Sequence, residues 1–118
     1  MANYSRLMFS GSTAGLPIAV SSTATPGLTI HTAVTGTVSF DEVYLYAANV
    51  SAAAATLTVQ WGGTTDPASD LVYQISLPAN SPPIPIATGQ NLNNALVVKA
   101  WSGTTNAINL TGWINRIS

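Results

Sequence analysis

The chain has 118 residues, no cysteine, three basic and four acidic side chains, one histidine and a formal net charge of −1. That length is one domain, able to bury roughly two-thirds of its unfolded surface in one core, and the missing cysteines exclude disulfide stapling and thiolate metal sites. Charged residues reach only 6% beside 47% hydrophobic ones, against about one-quarter charged in an ordinary soluble domain; the surface must be made of Ser, Thr, Asn and Ala, which oppose close contact with other protein only weakly.

Residues 1–15 read as a flexible N-terminal arm ahead of a single domain over 16–118. Ser10, Gly11, Ser12 and Thr13 interrupt the apolar run Leu7-Met8-Phe9, so no secretion signal is expected. In an assembly protein such an arm, with Tyr4, Leu7, Met8 and Phe9, would dock on a neighbour and order on binding.

From residue 16 onward the signals are those of strands: short β-branched and aromatic runs of period two between Gly, Pro, Asn and Ser clusters. Residues 16–20 and 28–34 are the first two, separated by a turn at Pro26-Gly27, and Pro17 places the first on an edge. From Ser39 to Asn49, Phe40, Val43, Leu45 and Ala47 share one face and Tyr44 and Tyr46 the other, if the strand is irregular at Asp41-Glu42. Thr56–Trp61 alternates cleanly, with Leu57, Val59 and Trp61 inward and Thr56, Thr58 and Gln60 outward. Val50–Ala54 joins these two as a hairpin.

Residues 62–69 form a loop, and alternation resumes at Asp70–Leu77 with Leu71, Tyr73, Ile75 and Leu77 on one face. The prolines at 78, 82, 83 and 85 limit Ile84–Ile86 to an edge strand or a polyproline-like connection. Residues 96–102 and 107–117 pair across Gly103–Asn106. Trp61-Gly62 and Trp101-Ser102 echo one another as strand ends at one rim. The total is about seven or eight short antiparallel strands, the pattern of an all-β sandwich or jelly roll.

Chemistry is sparse. His31 sits within a candidate strand as a partly exposed or core-edge histidine; as a base it would need a nucleophile and an orienting acid beside it, and serines are too plentiful here to single one out. Asp41 and Glu42 are adjacent and point to opposite faces, which does not suit a paired-carboxylate glycosidase. Asp66 and Asp70 share a loop with Thr64, Thr65 and Ser69; a surface calcium site is conceivable, but Asp-Pro turn chemistry explains the same residues and no EF-hand spacing is present. Arg6, Lys99 and Arg116 are scattered, without the basic stripe or the glycine-rich loop that phosphates require. No catalytic site, cofactor, nucleic acid or small-molecule substrate is expected. Trp101 and Trp113 fall on outer faces, as subunit contacts or as a sugar-stacking platform.

The stretch DEVYLYAANVSAAAATLTVQWGGTTDP at 41–67, then LNNALVVKAW at 92–101 and GWINRIS at 112–118, resembles a group of small virion proteins of tailed bacteriophages. The likeness spans Phe40 to Ser118. It implies a sandwich or jelly-roll protein on the capsid surface, a decoration or cement protein that binds the major capsid protein, commonly as a homotrimer; it carries over no site residues. The alternatives are a tail, neck or fibre component and a carbohydrate-binding module that uses Trp101 and Trp113.

Overall fold

A computed structural model describes residues 3–24, 27–62 and 71–118. Among them lie nine strands and no helix: β1 (Tyr4–Leu7), β2 (Ile18–Ala19), β3 (Leu28–Thr32), β4 (Phe40–Asn49), β5 (Ala55–Trp61), β6 (Leu71–Leu77), β7 (Ile84–Leu92), β8 (Val97–Ser102) and β9 (Ile108–Ile117). They make an antiparallel β-sandwich. One sheet runs β1-β9-β4-β7, with β2 also on β9; the other runs β3-β8-β5-β6.

β1 and β2 lie end to end along β9, with Leu7 opposite Ile114 and Ile18 opposite Leu110. Counted as one interrupted strand, they complete a nested order: this pair with β9, β3 with β8, β4 with β7, β5 with β6. The chain is therefore one long hairpin, rolled so that its two arms alternate between sheets. Of consecutive strands among those described, only β5 and β6 are hydrogen-bonded to each other.

This order corrects two expectations. β4 and β5, expected as a hairpin across Val50–Ala54, lie in different sheets, and so do β8 and β9. The corner after β4 is held by Asn49, which is fully buried. Its amide nitrogen donates to the carbonyls of Ala53 (2.9 Å) and Leu77 (3.1 Å), and its Oδ1 accepts from the backbone and hydroxyl of Ser51. The connection thus turns from one layer to the other, and two short strands next to each other in sequence never meet. Trp61 and Trp101 are likewise not at one rim: β5 and β8 are antiparallel, with Trp61 opposite Val98 and Trp101 opposite Thr58.

The core is filled from both inner faces. Val43, Leu45 and Ala47 of β4 and Ile108, Leu110 and Ile114 of β9 meet Leu57 and Val59 of β5 and Val98 and Ala100 of β8, all buried; each large side chain contributes roughly 1.5–3 kcal/mol. β4 alternates without the irregularity expected at Asp41-Glu42: Asp41 points inward with Val43, and Phe40 is only half-buried. β7 runs on to Leu92, well past Ile86, and its Pro85 lies on an edge strand beside a register shift against β4, a place where proline is tolerated in a sheet. Thr58 and Gln60 face outward in parity yet are buried, next to Trp101 and Lys99 of β8.

The segment expected as a free arm is part of the sandwich. Residues 4–7 pair with β9 of the same chain, and Phe9, expected on a neighbour, is 3% exposed in the core. Its ring lies over Gly112. That glycine has φ of 141°, and a Cβ there would overlap the Tyr44 carbonyl oxygen and approach Phe9 Cε2 to 3.2 Å. Gly112 therefore lets β9 pass β4 closely while the arm supplies the apolar surface that β9 lacks at this position.

Candidate functional site

Among the described residues, two places gather side chains with chemical or binding potential: a buried polar cluster between the sheets and an aromatic cluster on the outer face of the β9-containing sheet. The buried cluster begins at β3. Its register on β8 shifts between Thr29 and His31, and this bulge leaves two consecutive residues, Ile30 and His31, buried.

His31 Nε2 lies 2.8 Å from Asp41 Oδ2. The same carboxylate takes Arg116 Nε at 2.7 Å on Oδ1 and a terminal Arg116 nitrogen at 3.0 Å on Oδ2, and the Val34 N–H reaches Oδ2 at 3.1 Å. Asp41 is thus an inward-facing charge with each oxygen hydrogen-bonded, the condition under which a buried carboxylate is tolerated. Burial by itself would raise its pKa; the hydrogen bonds from Arg116 and His31 outweigh it and hold the carboxyl below its ordinary 3.8.

The other ring nitrogen sets the tautomer. Nδ1 accepts the backbone N–H of Ser10 at 3.1 Å, so the proton sits on Nε2, facing Asp41. Burial lowers the pKa of His31 below 6.5, against the pull of Asp41 in the opposite direction. Ser10, His31 and Asp41 match a nucleophile-base-acid triad in residue type but not in geometry: the Ser10 Oγ takes the Thr32 N–H at 2.7 Å, and only the Ser10 backbone reaches the ring. With both ring nitrogens committed, His31 joins β3, β4 and the segment before β2.

That segment, residues 8–17, closes one side of the sandwich. It leaves β1 at the edge of one sheet, meets β3 at the edge of the other through Gly11 N–H to the Ile30 carbonyl (2.9 Å), and returns to β2. A Cβ on Gly11 would come within 2.6 Å of the Ile30 oxygen, so only glycine allows this approach.

On the outer face, Tyr44 stacks on Trp113 at 5.1 Å and 12°, Tyr46 at 5.9 Å and 27°, and the Arg6 guanidinium lies 5.0 Å from the indole centroid. Tyr44 stands directly opposite Trp113 in the ladder, the position in which cross-strand aromatics meet. The indole Nε1 is buried without a hydrogen-bond partner among the described residues. Trp101 is half-buried on the outer face of the other sheet, next to Gly27. The two tryptophans therefore lie on opposite faces of the sandwich and share no platform.

Tyr4 (73% exposed), Leu7 and Met8 lie on the surface, unlike Phe9. The Asp66–Asp70 loop lies outside the described residues. Among those described, no group of three or more His, Asp or Glu is placed to hold a metal, and a shallow open depression is lined by Phe40, Asn91, Leu92 and Asn93.

The reading of single residues missed the pairing of His31 with Asp41 and Arg116. Parity held the signal: Asp41 shares its face with Val43, Leu45 and Ala47, and a carboxylate there demands cationic or N–H partners. Which of the three basic residues or the one histidine would supply them is set by the strand pairing, which the sequence does not show. Comparison with protein-family models, with curated proteins and with solved structures returns no match.

Proposed function

We propose that this chain is a structural virion subunit, a decoration or cement protein that stabilises a bacteriophage head by contacts with the major capsid protein and with further copies of itself, as a trimer. The observation that carries the reading is the surface. Tyr4, Leu7, Met8 and Leu16 are exposed within one stretch at the N-terminal edge, on a chain with 6% charged residues. Apolar groups gathered in this way mark places where protein meets protein. The nested strand order is read as that of a jelly roll, an architecture shared by viral capsid and lectin domains, and this supports the assignment without selecting it. The ionisable groups give further support: His31, Asp41 and Arg116 hold the two sheets and the closing segment together and leave no ring nitrogen free for a substrate.

The test is a comparison of heads with and without the protein. Heads that lack it should release their DNA at lower temperature and under milder osmotic shock, and adding back the purified chain should restore resistance. Equal resistance with and without it would remove the cement role.

A further inference from the structure

We propose that residues 8–17 are an acid-released latch: a second proton on His31 turns its contact with Ser10 into two opposed donors, and the segment leaves the side of the sandwich with Phe9. At neutral pH the ring is an acceptor at Nδ1 toward Ser10 N–H (3.1 Å) and a donor at Nε2 toward Asp41 (2.8 Å). Protonation places a hydrogen on Nδ1 against that N–H. The acceptor site is gone, and in this part-buried contact the Ser10 N–H faces a second donor instead of a partner.

Electrostatics adds to this. The charged groups that face His31 are Asp41 from β4 and Arg116 from β9; the closing segment contributes the Phe9 ring, 6.0 Å away by centroids, and the Ser10 backbone, neither of which titrates. Asp41 is already neutralised by the two-pronged Arg116 contact. The cluster therefore has no net charge with neutral His31 and one positive charge with the imidazolium, in a buried site where such a charge is costly. Opening the latch admits water to that charge. Among the described residues, three hydrogen bonds, those of Ser10 N–H, Ser10 Oγ and Gly11 N–H, and the Phe9 plug tie the middle of the segment to the second sheet and the core. The strands beneath are held by their own ladders and stay formed. Release uncovers the Phe9 ring next to exposed Leu7 and Met8.

Amide hydrogen exchange on the full chain, corrected for intrinsic rates, tests this between pH 7.5 and pH 5. Ser10, Gly11 and Thr32 should lose at least tenfold in protection at pH 5 while Val43 and Leu45 keep theirs, and the His31→Gln variant, whose amide can accept from Ser10 and donate to Asp41, should show no such loss. Nitrogen chemical shifts of the imidazole in the unmodified protein provide a readout independent of whether that variant folds: Nε2–H at pH 7.5, doubly protonated at the pH where protection falls. Unchanged protection of Ser10 and Gly11 at pH 5, loss spread equally over β4, the same loss in His31→Gln, or a ring that stays singly protonated while protection falls would each overturn the proposal.

Discussion

Replacing Asp41 by Asn removes a charge without changing shape, and the structure sets its cost. Asp41 accepts from His31 Nε2, the Val34 N–H and two nitrogens of Arg116. An asparagine has one acceptor oxygen and an NH2 that donates. With the oxygen kept on Arg116 Nε, the NH2 confronts the His31, Val34 and remaining Arg116 donors; if His31 shifts its proton to Nδ1 to relieve this, the clash moves to Ser10 N–H. Breaking a buried pair from one side costs about 3–5 kcal/mol. Arg116 is 33% exposed and can turn toward water, so the lower end applies, about 3 kcal/mol. With an m value of about 1.5–2 kcal/mol/M, the urea midpoint should fall by roughly 1.5–2 M at pH 7. A midpoint within about 0.3 M of the parent, at unchanged m, would refute the reasoning.

Gly112→Ala should lower stability by about 3 kcal/mol or more, because its φ of 141° strains any side chain and the new methyl overlaps the Tyr44 carbonyl; thermal unfolding should shift down by about 10 °C or more, and a shift under about 3 °C would contradict the close approach of β9 and β4. Asn49→Ala should cost about 1–3 kcal/mol by removing the donor to the buried Leu77 carbonyl and the acceptor of the Ser51 N–H at the corner, read as a lower denaturant midpoint. Acid should act twice with one sign. His31 has its folded pKa below 6.5 and Asp41 below 3.8, so in each case the unfolded chain takes up the proton first; stability is full above about pH 6.5, falls as pH drops through the His31 range, and falls again below about pH 4. In His31→Gln the first decline should vanish and the second remain, as measured by urea midpoints across pH. Arg6→Ala should cost at most about 1 kcal/mol, since the cation over Trp113 is exposed, but should alter Trp113 emission.

Strand existence and facing were largely legible because period-two alternation is a local property: Leu45, Leu57 and Val59 are read inward from their neighbours alone. Pairing was not, because it depends on which distant strand completes each ladder. The nested order puts β4 beside β9 and β7, and the turn signal at Val50–Ala54 cannot distinguish a hairpin from a corner between layers; only the Asn49 bonds do. The bulge that buries Ile30 and His31 together has no signature in that stretch. Phe9 was misplaced for a related reason: its socket is the missing side chain of Gly112, a hundred residues away in a strand that reads as ordinary. An irregularity at Asp41-Glu42 is needed only to bring Phe40 onto the face of Val43; the strand instead keeps strict alternation, which turns Phe40 half outward and Asp41 inward, and that inward carboxylate organises the cluster.

The structural-subunit reading is tested most directly by the ratio of this chain to the major capsid protein in purified particles, determined by quantitative mass spectrometry and located by imaging. A fixed ratio that follows the capsid lattice, with density on the head exterior, is the predicted result; a few copies confined to the tail or neck, or absence from purified particles, would contradict it.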